Sequence, residues 1–124
     1  MRSAPKSSPA QRKQRIQTLE RQIAKVKGEL AELGDLRPGS LSAQYNVCGT
    51  PGCQCKADPP KKHGPYYQVS YTRKGKSSTR FVRPQDLATV KRQLRNYQRL
   101  RACIDRWIDL ATELATLTIE NQEE

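Results

Sequence analysis

Apolar positions along the chain change period twice. Ile16, Leu19, Ile23, Val26, Leu30 and Leu33 recur at spacings of 3, 4, 3, 4 and 3. That alternation is the seam of a helix packing as in a coiled coil. The start is marked in SSPAQ, where Ser8 caps, Pro9 takes the first helical position and Gln11 bonds back to the cap. Gly34 follows the last apolar position, with Pro38 and Gly39 beyond it, so a helix is expected over 9–34.

A second helix is expected from Pro84 to residue 118, with Asp86 in its first turn. Its apolar stripe reads Leu87, Val90, Leu94, Tyr97, Leu100, Ile104, Ile108 and Ala111, opposite Lys91, Arg92, Arg95, Arg99 and Arg106. Cys103 falls on the polar side as an incidental thiol, and 119–124 form an acidic tail. Between the helices the period drops to two. Tyr67, Val69 and Tyr71 alternate with Gln68, Ser70 and Thr72, then RKGKSS supplies a turn at Gly75 and TRFV a return strand. The expected fold class is therefore mainly α with a small β-hairpin. A long antiparallel, coiled-coil-like helical hairpin carries a Cys/His loop and the β-hairpin (35–83) as a head, in one domain, with residues 1–8 disordered.

Charge supports the antiparallel arrangement. Residues 1–21 sum to +5 and residues 102–124 to -5, so these ends match when the helices oppose one another. The whole net charge of +11 then falls in residues 22–101. Such a balance points to polyanions, with nucleic acid first. Only 35% of residues are hydrophobic, so the core is thin and a structural metal would supplement it. No apolar run is long enough for a bilayer, and MRSAPKSSPA lacks the apolar segment of a secretory signal. A cytoplasmic protein without a membrane partner is expected, and in a reducing compartment clustered cysteines are read as metal ligands.

Those cysteines lie in CGTPGCQCKADPPKKHGPYY. Cys48, Cys53, Cys55 and His63 form a thiolate and imidazole set suited to a structural zinc ion, on a loop bent by glycines and prolines; free thiols packed in the loop with His63 on the surface, or a disulfide, are the alternatives. The fourth ligand is His63 or a water. Four protein ligands would close the shell to substrate, and Asp58 is the sole acid between Pro38 and Arg83, so no general base stands near. No nucleophile triad or phosphate loop appears elsewhere, and the chain is read as a non-enzyme.

The basic residues group in three places: Lys61 and Lys62 beside the cysteines; Arg73, Lys74, Lys76, Arg80 and Arg83 on the hairpin; and Lys91, Arg92, Arg95 and Arg99 along the second helix. All are expected toward one end of the molecule, where they would contact phosphates. A solvated face is the alternative for the helix ladder. Tyr66 or Tyr71 could stack on unpaired bases if exposed, or pack beneath the hairpin.

GSLSAQY, CGTPGCQC, HGPYYQVSYTRKGK and NYQRLR occur in that order between Gly39 and Arg101. This string resembles a small prokaryotic family of unknown function, DUF6788, over about Leu36 to Leu117. The resemblance implies a metal loop and an occurrence near mobile-element genes, with no assigned activity. Three functional expectations follow. The first is a nucleic-acid-binding accessory protein of a mobile genetic element with a structural zinc loop. The second is an interaction module whose seam pairs with a second copy or another protein. The third is a thiol or metal sensor using Cys53 and Cys55.

Overall fold

Seven residues of polar, proline-containing sequence precede the first described residue. The computed structural model describes residues 8–123, so the expected disordered start lies, apart from Ser8, outside them. The chain forms α1 (Pro9–Ala31), a three-stranded sheet of β1 (Ser40–Asn46), β2 (His63–Arg73) and β3 (Lys76–Val82), and α2 (Leu87–Gln122). It divides into two compact units, one of α1 with α2 from Arg99 onward, the other Gly34–Gln98. No described helix is long and apolar enough to cross a membrane.

The helical unit begins as its cap signals dictate. The Gln11 amide donates to Ser8 Oγ at 3.2 Å, and the Ser8 amide donates to Gln11 Oε1 at 3.0 Å. Leu19, Ile23 and Val26 of α1 are buried. Arg15 grips Glu113 with Nε and Nη2 at 2.6 and 2.8 Å, and Glu29 accepts from Arg106 at 3.2 Å and from the Cys103 thiol at 3.5 Å. The Arg15 hydrogen bond holds the Glu113 carboxyl below its ordinary range. Lys27 Nζ sits 5.1 Å from the centre of the Trp107 ring.

Two expectations for α2 need correction. Cys103 is buried rather than on the polar side, and Ile108, assigned to the seam, is 56% exposed. The half-buried apolar positions beyond Leu100 are Ile104, Trp107, Leu110, Ala111, Leu114 and Leu117. Stepping from Leu100 to Ile104 to Ile108 advances four residues twice, and each step drifts about 40° around a helix of about 3.6 residues per turn. Alternating steps of three and four, through Cys103, Trp107, Leu110, Leu114 and Leu117, hold the stripe in place. The helix also runs to Gln122, through most of the expected tail.

In the other unit the sheet has three strands where a two-stranded hairpin was expected. The added strand is SLSAQYN, paired antiparallel to β2 with Leu41 opposite Val69 and Ala43 opposite Tyr67. Its period-two pattern is diluted by small residues, only Leu41 being half-buried. β2 is central, yet it contains Pro65, which lacks an amide hydrogen. β3 begins pairing only at Tyr67, and the β1 register shifts between Gln44 and Asn46, so the proline falls where the ladder is already interrupted. The β2–β3 turn is Lys74–Gly75, both with positive φ, in the manner of a two-residue type I′ hairpin. Val69 and Val82 on one sheet face pack against Val90 and Leu94 from the first turns of α2, with Leu41, Tyr67 and Leu87 around them. The other face carries Tyr66, Gln68, Ser70 and Thr72 of β2 beside Phe81, Thr79 and Ser77 of β3.

Candidate metal centre and its basic surroundings

The connection from β1 to β2 is the cysteine segment. Cys48 lies two residues past the end of β1, Cys53 and Cys55 flank Gln54 in a short 3-10 turn, and His63 is the first residue of β2. In an extended segment Cys53 and Cys55 would point apart, and the turn at Gln54–Lys56 removes that obstacle. Gly64, next to the histidine, has φ 135°, and a Cβ there would lie 2.6 Å from the Gln44 carbonyl oxygen. Only glycine lets β2 start so close to β1.

One ligand atom from each of Cys48, Cys53, Cys55 and His63 lies within 4.8 Å of every other. The Cys48 and Cys55 sulfurs are 3.5 Å apart, and Cys53 Sγ is 3.2 Å from His63 Nε2. Tetrahedral zinc with bonds of about 2.3 Å to sulfur and about 2.0 to 2.1 Å to nitrogen requires separations near 3.8 Å between sulfurs and 3.6 Å from sulfur to nitrogen. These two contacts fall just inside those edges, and every separation in the set stays within 4.8 Å. All four cysteines of the chain are free thiols. The donor set thus fits a zinc ion, which His63 Nε2 and the three sulfurs would hold, and a shell filled in this way supplies a structural cross-link.

Electrostatics at the site divide the thiols. Cys48 is lowered to about 6, chiefly by a backbone hydrogen bond at Thr50 and then by His63 and the other two thiols. Cys55 is raised, mainly by burial, although the Cys48 amide donates to its sulfur at 3.3 Å. At neutral pH Cys48 offers a thiolate directly, whereas Cys55 must release a proton to bind metal.

The expected phosphate-contacting residues are all exposed. Arg99 belongs to the helical unit and the other ten to the sheet unit. Within the sheet unit they fall at both ends of β2: Lys61 and Lys62 precede its first residue, whereas Arg73 is its last and Lys74 and Lys76 follow. Eleven residues of strand separate those groups, about 33 Å at about 3.3 Å per residue. Arg37 was missed by sequence reasoning. It joins Arg80 and Arg83 around an open recess of about 430 Å³ that Asp86, Thr89 and Gln93 also line. Its amide bonds to the Gln93 carbonyl at 3.2 Å, tying the chain before β1 to α2, a pairing that local pattern does not reveal. Lys91 and Arg95 line a second recess with Gly39, Ser40 and Gln98. The sheet unit holds twelve Lys and Arg against three Asp and no Glu, a formal +9.

The sheet is backed on one face by the first turns of α2 and carries at one end a Cys3His cluster close enough to hold a metal ion. The model of the family described as Domain of unknown function (DUF6788) matches residues 12–92, and the chain belongs to that family. The match takes in most of α1, which the resemblance had left outside the shared pattern, and ends before Asn96 and Tyr97. No curated protein and no solved structure matches the chain.

Proposed function

We propose that the protein is a non-catalytic nucleic-acid-binding accessory protein, serving a mobile genetic element, in which Cys48, Cys53, Cys55 and His63 hold a structural zinc ion. The observation that carries this reading is the formal +9 of a 65-residue unit whose basic side chains stand exposed at both ends of the sheet. Phosphates reward such a concentration through counterion release. The helices supply a scaffold: Arg15 with Glu113 and Glu29 with Arg106 fit an antiparallel coiled-coil hairpin. The test is fluorescence anisotropy on labelled 20-mers across salt concentrations. If Arg73, Lys74, Lys76, Arg80 and Arg83 each meet a phosphate, the log–log salt slope on a single strand is about -3.5. Absence of binding at low salt refutes the reading.

A second reading, a protein-interaction module, is favoured by one observation. Ile108 and Ile119 stand 56% and 59% exposed, eleven residues apart and so on one face of α2. That stripe suits a second copy or an adaptor partner, and a concentration-dependent dimer lost in Ile108→Lys would support it.

A further inference from the structure

An antiparallel sheet with one covered face ordinarily turns polar side chains to water on the other. The open face here follows that rule along most of its length. Ser70 pairs with Thr79 at 3.1 Å and Thr72 with Ser77 at 2.9 Å, as cross-strand hydroxyl pairs. At the end away from the turn it breaks the rule. Phe81, the chain's sole phenylalanine, is 66% exposed, the highest value for a large hydrophobic among the described residues, and Tyr66 is 41% exposed. Phe81 stands directly opposite Gln68, and Tyr66 is the next residue of β2 on the same face, so the two rings are diagonal neighbours. Both line a shallow, mainly apolar recess of about 370 Å³ whose wall includes Pro65, Pro84 and the Arg83 side chain.

From this we propose that the open face is a stacking platform for unpaired bases, making the preferred nucleic acid single-stranded. The proposal rests on the nucleic-acid-binding reading and narrows it. An exposed aromatic ring offers a π-face, and a base can lie on it only when that base is out of a duplex. The charge around the rings is of the sign the backbone requires, with Arg83 at the recess and Arg73, Lys74 and Lys76 at the far end of the same strands. The path from Tyr66 to Arg73 spans about 23 Å of strand at about 3.3 Å per residue, within the reach of the roughly 4 to 16 nucleotides that comparable sheet surfaces accommodate. The hydroxyls of Ser70, Thr72, Ser77 and Thr79 lie along that path and can donate to or accept from any base edge, which favours sequence tolerance. A protein ligand would leave the basic flanks unmatched unless it were acidic, and the rings favour bases over carboxylates.

The experiment compares the zinc-loaded full chain with Phe81→Ala, Phe81→Trp and the double variant Lys74→Glu/Lys76→Glu. Their targets are dT20, rU20, an abasic strand of equal length and a 20-base-pair duplex. Phe81→Ala is expected to weaken dT20 and rU20 about 5- to 100-fold with the salt slope unchanged, and to leave duplex and abasic binding as they were. Phe81→Trp restores the affinity, which separates stacking from a folding defect. The charge variant weakens every target and flattens the salt slope. If Phe81→Ala leaves single-strand affinity unchanged, or weakens duplex and abasic strand equally, the platform is refuted while nucleic-acid binding stands. If no target binds at low salt, both readings fail.

Discussion

Removing the metal, or one of its ligands, should release the segment between β1 and β2. Between Val47 and Lys62 only Cys55 is buried, at 1% exposure, and Cys48 and Cys53 are half-buried; every other side chain there is exposed. With no apolar core of its own, this segment depends on the ligand set for its order. Closing a loop of this length by a covalent link stabilises a fold by about 3 kcal/mol in the chain-entropy account, and a zinc clip joining Cys48 to His63 closes a comparable loop. For a unit of 65 residues that converts to a fall in Tm of at least about 12 °C. Cys55→Ser and Cys48→Ser should therefore purify with far less than one zinc per chain by atomic absorption. Their melting, followed by circular dichroism, should match that of the wild type in chelator. Cys103→Ser, which changes a buried thiol bonded to Glu29, should keep its zinc. Protons compete for the same site: Cys48 is lowered to about 6, so its thiolate is present above that pH and is lost as pH falls through it. Zinc affinity should accordingly fall as pH falls, since Cys55, whose thiol burial pushes up, must also lose its proton to bind. Stoichiometric zinc retained by both cluster variants, or a Tm indifferent to chelator and to both substitutions, would refute the clip.

Two further outcomes test the packing. Gly64→Ala should destabilise the sheet unit by about 1 to 3 kcal/mol, since φ 135° and the 2.6 Å approach to the Gln44 carbonyl leave no place for a Cβ; urea melting showing no change would contradict the close approach. Leu19→Ala should cost about 2 to 5 kcal/mol while Ile108→Ala costs under about 0.5 kcal/mol, and a reversal of that order would return Ile108 to the seam.

Legibility from sequence followed the strength of each local signal. The capping box at Ser8, the α1 seam, the β2–β3 turn and the four candidate ligands are written in short, chemically distinctive stretches, and the structure brings each together. β1 escaped because Ser40, Ser42 and Ala43 are small, so its alternation carries little apolar contrast, and its pairing with β2 spans a long, irregular connection. The α2 seam slipped because leucines, isoleucines and alanines occur on more than one face, leaving two stripes that periodicity alone weighs equally. Phe81 and Tyr66 lie fifteen positions apart and become neighbours only through the strand register.

The cysteine cluster lies at the connection that joins the edge strand β1 to β2. β1 is an edge strand with one half-buried apolar side chain, and no tight turn fixes its register against β2. Were the clip undone, β1 could peel away and bare the backbone donors and acceptors of β2, an edge open to the same strand of another molecule. Chelation or thiol oxidation is then expected to expose that edge and to promote intermolecular β-pairing, which light scattering in the presence of chelator would report.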